Sequence, residues 1–150
     1  MNMIWAGNGE PSKRRAWPFS LNVAPSNSPT PRILIVEDEL FVAWHLEAIV
    51  HDLQFEVSGI VSNGEEAIEK ASEADVILMD VNLGSRMDGV EAARWIRRKR
   101  QGAIVFVTAY GDEKTIERIK AAVPGAPIVV KPVAPETLRS AILSALKKPE

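Results

Sequence analysis

Four short apolar runs in this chain each end on a residue able to do chemistry. Ile33–Val36 runs into Glu37-Asp38, Val76–Met79 into Asp80, Ile104–Val107 into Thr108, and Ile128–Val130 into Lys131-Pro132. Continuous, largely β-branched runs separated by amphipathic stretches read as parallel strands buried on both faces. An open parallel sheet takes its ligand beyond the carboxyl ends of its strands. Three carboxylates, a hydroxyl and an ammonium therefore converge on one edge, a donor set suited to a divalent metal and a phosphoryl group.

The stretches between the runs have helical character. Leu40–Leu53 carries Val42, Leu46, Ile49, Val50 and Leu53 at helical spacing, and Phe55–Val61 supplies a further strand. Asn63-Gly64-Glu65-Glu66 opens a short helix with acids in its first turn, where the helix dipole favours them. After Asp80, the turn Asn82–Gly89 leads into a helix with Val90, Ala93 and Ile96 on one face. Asp112–Ala122 and Pro135–Leu146 predict the last two helices, with Pro135 and Glu136 suited to a helix start. Five βα units in strict order predict an α/β fold, an open parallel sheet with helices on both faces. The pattern alone leaves the strand order open.

A chain of 150 residues with 46% hydrophobic residues suits one folded core. Residues 1–31 read instead as a disordered arm. They hold Pro11, Pro18, Pro25, Pro29 and Pro31 among polar residues, without the apolar pattern needed to offset ordering entropy. Trp5, Trp17 and Phe19 beside Lys13-Arg14-Arg15 could form a docking motif, although a start-site artefact or a loosely packed tail is the simpler reading. The arm carries +2 of a formal net charge of −2, leaving a body of −4. That balance argues against a general nucleic-acid binder. Arg94, Arg97, Arg98, Lys99 and Arg100 read as a solvated helix end, favoured by the dipole, and His45 and His51 as ordinary helix residues. The chain has no cysteine, so disulfides and thiolate metal ligands are excluded. No run reaches the roughly 18–20 apolar residues of a membrane span, and no signal-peptide core is visible, so a cytoplasmic location is expected.

Glu37, Asp38 and Asp80 would repel one another: two carboxylates about 4 Å apart cost roughly 4 kcal/mol at an effective dielectric of 20. A bound cation relieves that repulsion. Mg2+ suits the set, because it takes hard oxygen ligands, keeps several waters and is completed by phosphate oxygens. Asp80 is the expected nucleophile, since it ends its run without an adjacent carboxylate to share the metal, and a carboxylate can form an aspartyl-phosphate. Lys131 and Thr108 supply a charge and a hydroxyl to the phosphoryl oxygens. Pro132 imposes an unusual backbone, such as a cis peptide, that would aim the lysine.

The motifs RILIVEDE, VILMDVNL, FVTAYG and VVKP, in this order and spacing, resemble the receiver domain of two-component response regulators over residues 32–147. The resemblance implies a flavodoxin-like, doubly wound five-stranded sheet of order 2-1-3-4-5. It also implies that Asp80 accepts phosphate from a histidine kinase or histidine phosphotransfer protein. Glu37 and Asp38 would hold Mg2+ with Asp80 and the main-chain carbonyl of Asn82, and Thr108 and Lys131 would act on the phosphoryl group. Phe106-Val107-Thr108-Ala109-Tyr110-Gly111 is similar to the Phe-Ala-Thr-Gly-Tyr-Gly stretch of stand-alone receivers linked to alphaproteobacterial stress signalling.

Two departures from the family stand out. Met-Pro often follows the phosphorylated aspartate, but this chain has Leu83-Gly84 and a longer turn through Ser85-Arg86-Met87-Asp88-Gly89. The family also commonly places Phe or Tyr three residues before the lysine, where this chain has Ile128, so the usual aromatic switch is missing and Tyr110 is the nearby aromatic.

The expected function is a stand-alone, phosphorylation-controlled module rather than an enzyme acting on other molecules. The chain stops four residues after Leu146, so output would run through protein contacts or by withdrawing phosphate from a relay. The main alternative is a phosphohydrolase of the haloacid dehalogenase type. That chemistry needs an acid two residues after a nucleophile on the first strand; here Asn82 holds that place and the nucleophile follows the third run. A nucleotide or flavin module would need a phosphate-cradling loop after the first strand, where Glu37-Asp38-Glu39 would repel it.

Overall fold

A computed structural model describes residues 29–100 and 102–147. The expectations for Trp5, Trp17, Phe19 and most of the N-terminal arm lie outside the described residues. The strands are β1 (Arg32–Val36), β2 (Glu56–Val61), β3 (Val76–Met79), β4 (Ala103–Thr108) and β5 (Ile128–Val130). Between and after them run α1 (Leu40–Asp52), α2 (Gly64–Lys70, continued by a 3-10 turn at Ala71–Glu73), α3 (Gly89–Arg100), α4 (Glu113–Ala122) and α5 (Pro135–Lys147). All strand pairs are parallel, in the order β2-β1-β3-β4-β5. The expected fold and strand order are both present.

The period of two along each strand divides the core into halves. Leu34 and Val36, Ile77 and Met79, and Ile104 and Phe106 pack beneath α2, α3 and α4 with Ala67, Ala93, Ile96 and Ile119. Their neighbours Ile33 and Ile35, Val76 and Leu78, and Val105 and Val107 pack beneath α1 and α5 with Leu46, Val50, Leu138 and Ile142. Both sheet faces are covered, which is why the central strands read as unbroken apolar runs rather than as alternation. β5 lies at an edge, and its last residue, Val130, is 47% exposed.

Three helices begin at side-chain caps. Asn63 accepts the Glu66 N–H at 2.8 Å, Asp88 accepts the Glu91 N–H at 3.0 Å, and Asp112 accepts the Thr115 N–H at 3.0 Å. Asp112 is therefore the cap of α4 rather than its first residue, one position from the expected start. The start of α3 depends on glycine for a different reason. A Cβ at Gly89 would lie 1.9 Å from the carbonyl oxygen of Asp80, and the Gly89 N–H donates to the Val81 carbonyl at 2.8 Å. Helix α3 thus rests directly on the backbone that carries Asp80.

Candidate functional site

Parallel pairing brings the ends of β1, β3, β4 and β5 to one edge. The backbone ladder continues past the strands: Glu37 N–H donates to Val61 O at 3.0 Å, Asp80 N–H to Val36 O at 3.1 Å, and Lys131 N–H to Thr108 O at 2.8 Å. Carboxylate oxygens of Glu37, Asp38 and Asp80 lie within 4.8 Å of one another. Glu37, Asp80 and Thr108 are buried at 3%, 6% and 0% exposure and form the floor of the site, whereas Asp38 is exposed on its rim. Asn82 is also exposed, two residues beyond Asp80.

Lys131 enters from β5, behind a cis peptide bond to Pro132. Its ammonium donates to Glu37 Oε2 at 2.7 Å and stands 3.6 Å from Asp80 Oδ1. Lys131, expected to serve a phosphoryl group on Asp80, makes its shorter contact with Glu37. The Glu37 side chain is only 1% exposed, and a carboxylate so far from water draws the nearest cation first. The other oxygen of Glu37 accepts the Glu39 N–H at 3.1 Å, which orients the carboxylate. Thr108 Oγ1 accepts the Tyr110 N–H at 3.0 Å. A hydroxyl accepting one bond keeps its own proton available for donation.

The charges are under strain. Burial first and the adjacent Glu37 carboxylate second push the Asp80 carboxyl up to about 7, with the Lys131 ammonium working against both. Partial burial and then Glu37 also raise Asp38 above the usual carboxylate range. Burial would lower Lys131, but its hydrogen bond to Glu37 and the charge of Asp80 outweigh that and hold it above the ordinary lysine value. A cluster of hard oxygen donors that resists full ionisation is chemically matched to a small divalent cation.

The wall over the floor is the loop between β3 and α3. Leu83 is buried at 2% exposure, Gly84 has a φ of 67°, and Asp88 Oδ2 pairs with Arg118 of α4 at 2.9 Å. Next to the acidic edge, α1 presents Phe41 at 79% and Trp44 at 50% exposure, their rings edge-to-face with centroids 5.7 Å apart. Sequence reasoning passed over this pair. The available signal was its position off the stripe of Leu46, Ile49 and Val50 that faces the core.

The response regulator receiver domain family matches residues 33–143, and the chain belongs to that family. It is 34% identical over 119 residues to the transcriptional regulatory protein PdtaR of Mycobacterium tuberculosis, a match covering 78% of this chain and 57% of PdtaR. The chemotaxis protein CheY of Thermotoga maritima is 35% identical over 121 residues, covering 78% of this chain and 95% of CheY. Among solved structures, the receiver domain of the Pseudomonas aeruginosa sensor histidine kinase PA1611, with magnesium coordinated in its active site cleft, superposes with a TM-score of 0.71. That domain is 27% identical, over 80% of this chain and 100% of its own. Among the described residues, no helix is long and apolar enough to cross a membrane.

Proposed function

We propose that this chain is a phosphorylation-controlled signalling module that accepts a phosphoryl group on Asp80 from a histidine kinase or histidine phosphotransfer protein. The observation that carries this reading is the packing of three carboxylates within 4.8 Å of one another, with the Lys131 ammonium against two of them. In the transfer, an Asp80 carboxylate oxygen attacks the phosphorus of a phosphohistidine. The P–N bond breaks with its electron pair remaining on the imidazole, and an acyl phosphate forms. Lys131 donates to one phosphoryl oxygen, and the free proton of the Thr108 hydroxyl is available to another.

The donor set fits Mg2+, which Glu37, Asp38, Asp80 and the Asn82 main-chain carbonyl would hold. A bound Mg2+ would supply positive charge to the phosphoryl oxygens. Asp80 is the acceptor among the three, because Glu37 is committed to Lys131 and to the Glu39 amide. A phosphohydrolase of the haloacid dehalogenase type lacks its acid here, since Asn82 occupies that place. In this reading residues 32–147 are the receiver domain behind a 31-residue arm, the module is cytoplasmic, and output passes through protein contacts or by withdrawing phosphate from a relay. Movement of Thr108 toward a phosphoryl group would draw the Tyr110 backbone with it through their hydrogen bond. With Ile128 in place of the usual aromatic, Tyr110, 51% exposed, would report the phosphorylated state.

Incubation with acetyl phosphate and Mg2+ followed by intact-mass measurement tests the acceptor. The wild type should gain one hydroxylamine-sensitive phosphoryl group, and Asp80→Asn none. An adduct that persists in Asp80→Asn would defeat the assignment.

A further inference from the structure

The rim of the site contains a contact that only one residue type permits. Gly84 has a φ of 67°, a left-handed backbone that a proline, locked near −65°, could not take. The space beside it is equally restrictive: a Cβ built on Gly84 would lie 2.8 Å from Asp38 Oδ2 and 4.0 Å from Asp38 Cγ. Carbon and oxygen do not approach so closely without one of them moving.

The loop backbone has little freedom to be the part that moves. One residue earlier, Leu83 is buried in the core at 2% exposure. At the far end, Gly89 lies on the Asp80 carbonyl, and Asp88 is tied to Arg118 at 2.9 Å and to the Glu91 amide at 3.0 Å. Asp38 is the yielding partner, since it is exposed and two side-chain torsions set its carboxylate.

We infer that Gly84 is a positioning residue for Asp38. Its bare Cα leaves the room in which the Asp38 carboxylate stays within 4.8 Å of those of Glu37 and Asp80. Any side chain at position 84 turns the carboxylate away and weakens divalent-cation binding without touching the cation itself. This inference rests on the Mg2+ site proposed above. The glycine in the loop after the phosphoacceptor strand is thereby tied to the metal acids of β1, 46 residues earlier in the sequence.

The test is Mg2+ titration of the full chain followed by NMR amide shifts, a readout independent of phosphorylation. The variants are Gly84→Ala, Gly84→Asn, Asp38→Asn and the double variant Asp38→Asn/Gly84→Ala. Asparagine tolerates a left-handed backbone far better than alanine, so Gly84→Asn keeps the loop conformation while adding the Cβ. Both single Gly84 variants should bind Mg2+ roughly tenfold more weakly, at the low end of the effect of losing a group that orients a metal ligand. In the Asp38→Asn background, adding Gly84→Ala should have no further effect. The inference is overturned by wild-type affinity in both Gly84 variants, by weakening in Gly84→Ala alone, or by an equal loss in the Asp38→Asn background. The metal-site reading is tested separately: if Asp38→Asn binds Mg2+ as tightly as the wild type, that reading fails and the role of Gly84 falls with it.

Discussion

The floor and the rim of the site are built by different physics. Glu37, Asp80 and Thr108 stand at strand ends, buried to within 6% exposure and held by backbone bonds that simply extend the sheet ladder. Asp38, Gly84 and Tyr110 lie exposed on connecting segments, and the Tyr110 amide is held by one bond to Thr108. The floor is therefore held by the sheet and carries the larger electrostatic strain, while at the rim the exposed side chain of Asp38 can turn, although burial and Glu37 raise its carboxyl too. If Asp80 is the phosphoacceptor proposed above, the site gains from this division, because the reacting group stays fixed while its surroundings respond.

The largest test of that contrast is Gly89→Ala, which forces a methyl group into the Asp80 backbone. With no flexible side chain to yield, it should cost about 3 kcal/mol and roughly 10 °C in melting temperature. A loss below 1 kcal/mol would show that the floor is softer than its geometry implies.

Asp80→Asn should act in the opposite direction. The folded-state pKa of Asp80 is raised from 3.8 to about 7, so the folded protein holds the proton more tightly and loses stability as pH climbs between those values. Removing the charge should return about 1–2 kcal/mol at pH 8, less than the full shift implies because water reaches the cleft. The gain should shrink as pH falls below 7 and vanish near pH 4. Thermal melts of both proteins across that range measure it, and a gain independent of pH would remove the electrostatic explanation.

Asp88→Ala should cost about 1 kcal/mol through loss of the α3 cap. It should also reveal whether the tie to Arg118 holds the rim, since Mg2+ affinity should fall with a loosened loop and stay constant otherwise. The smallest stability effect belongs to Tyr110→Ala, within about 0.5 kcal/mol because the ring is half exposed. Its consequence should lie in signalling, as a reduced difference in partner affinity between the free and beryllofluoride-bound states. An undiminished difference, or tyrosine ring NMR signals that do not shift with beryllofluoride, would leave Tyr110 an ordinary loop residue.

Where sequence reasoning succeeded and where it fell short follows the same division. Val76–Met79 matches its strand to the residue because a strand covered on both faces must be apolar throughout, and Ile128–Val130 matches too although β5 lies at the edge with Val130 half exposed, because its β-branched residues favour extended backbone. The acids and the lysine at the strand ends were legible for the same reason: a charged residue terminating a buried run can only emerge at the sheet edge. Phe41 and Trp44 were overlooked because the apolar periodicity used to find the core selects the Leu46, Ile49 and Val50 stripe and is silent on aromatics that stand off it.

By itself, the sequence determined the succession of strands and helices along the chain, the buried stripes and the residues that reach the acidic edge, since each follows from local periodicity and the alternation of side chains. Only the tertiary structure decided that Lys131 bonds Glu37 before Asp80, that Gly84 borders Asp38, and that Gly89 lies on the Asp80 carbonyl. Those contacts join residues up to 94 positions apart, and their distances are fixed by how strands, loops and helices pack together, which no local pattern encodes.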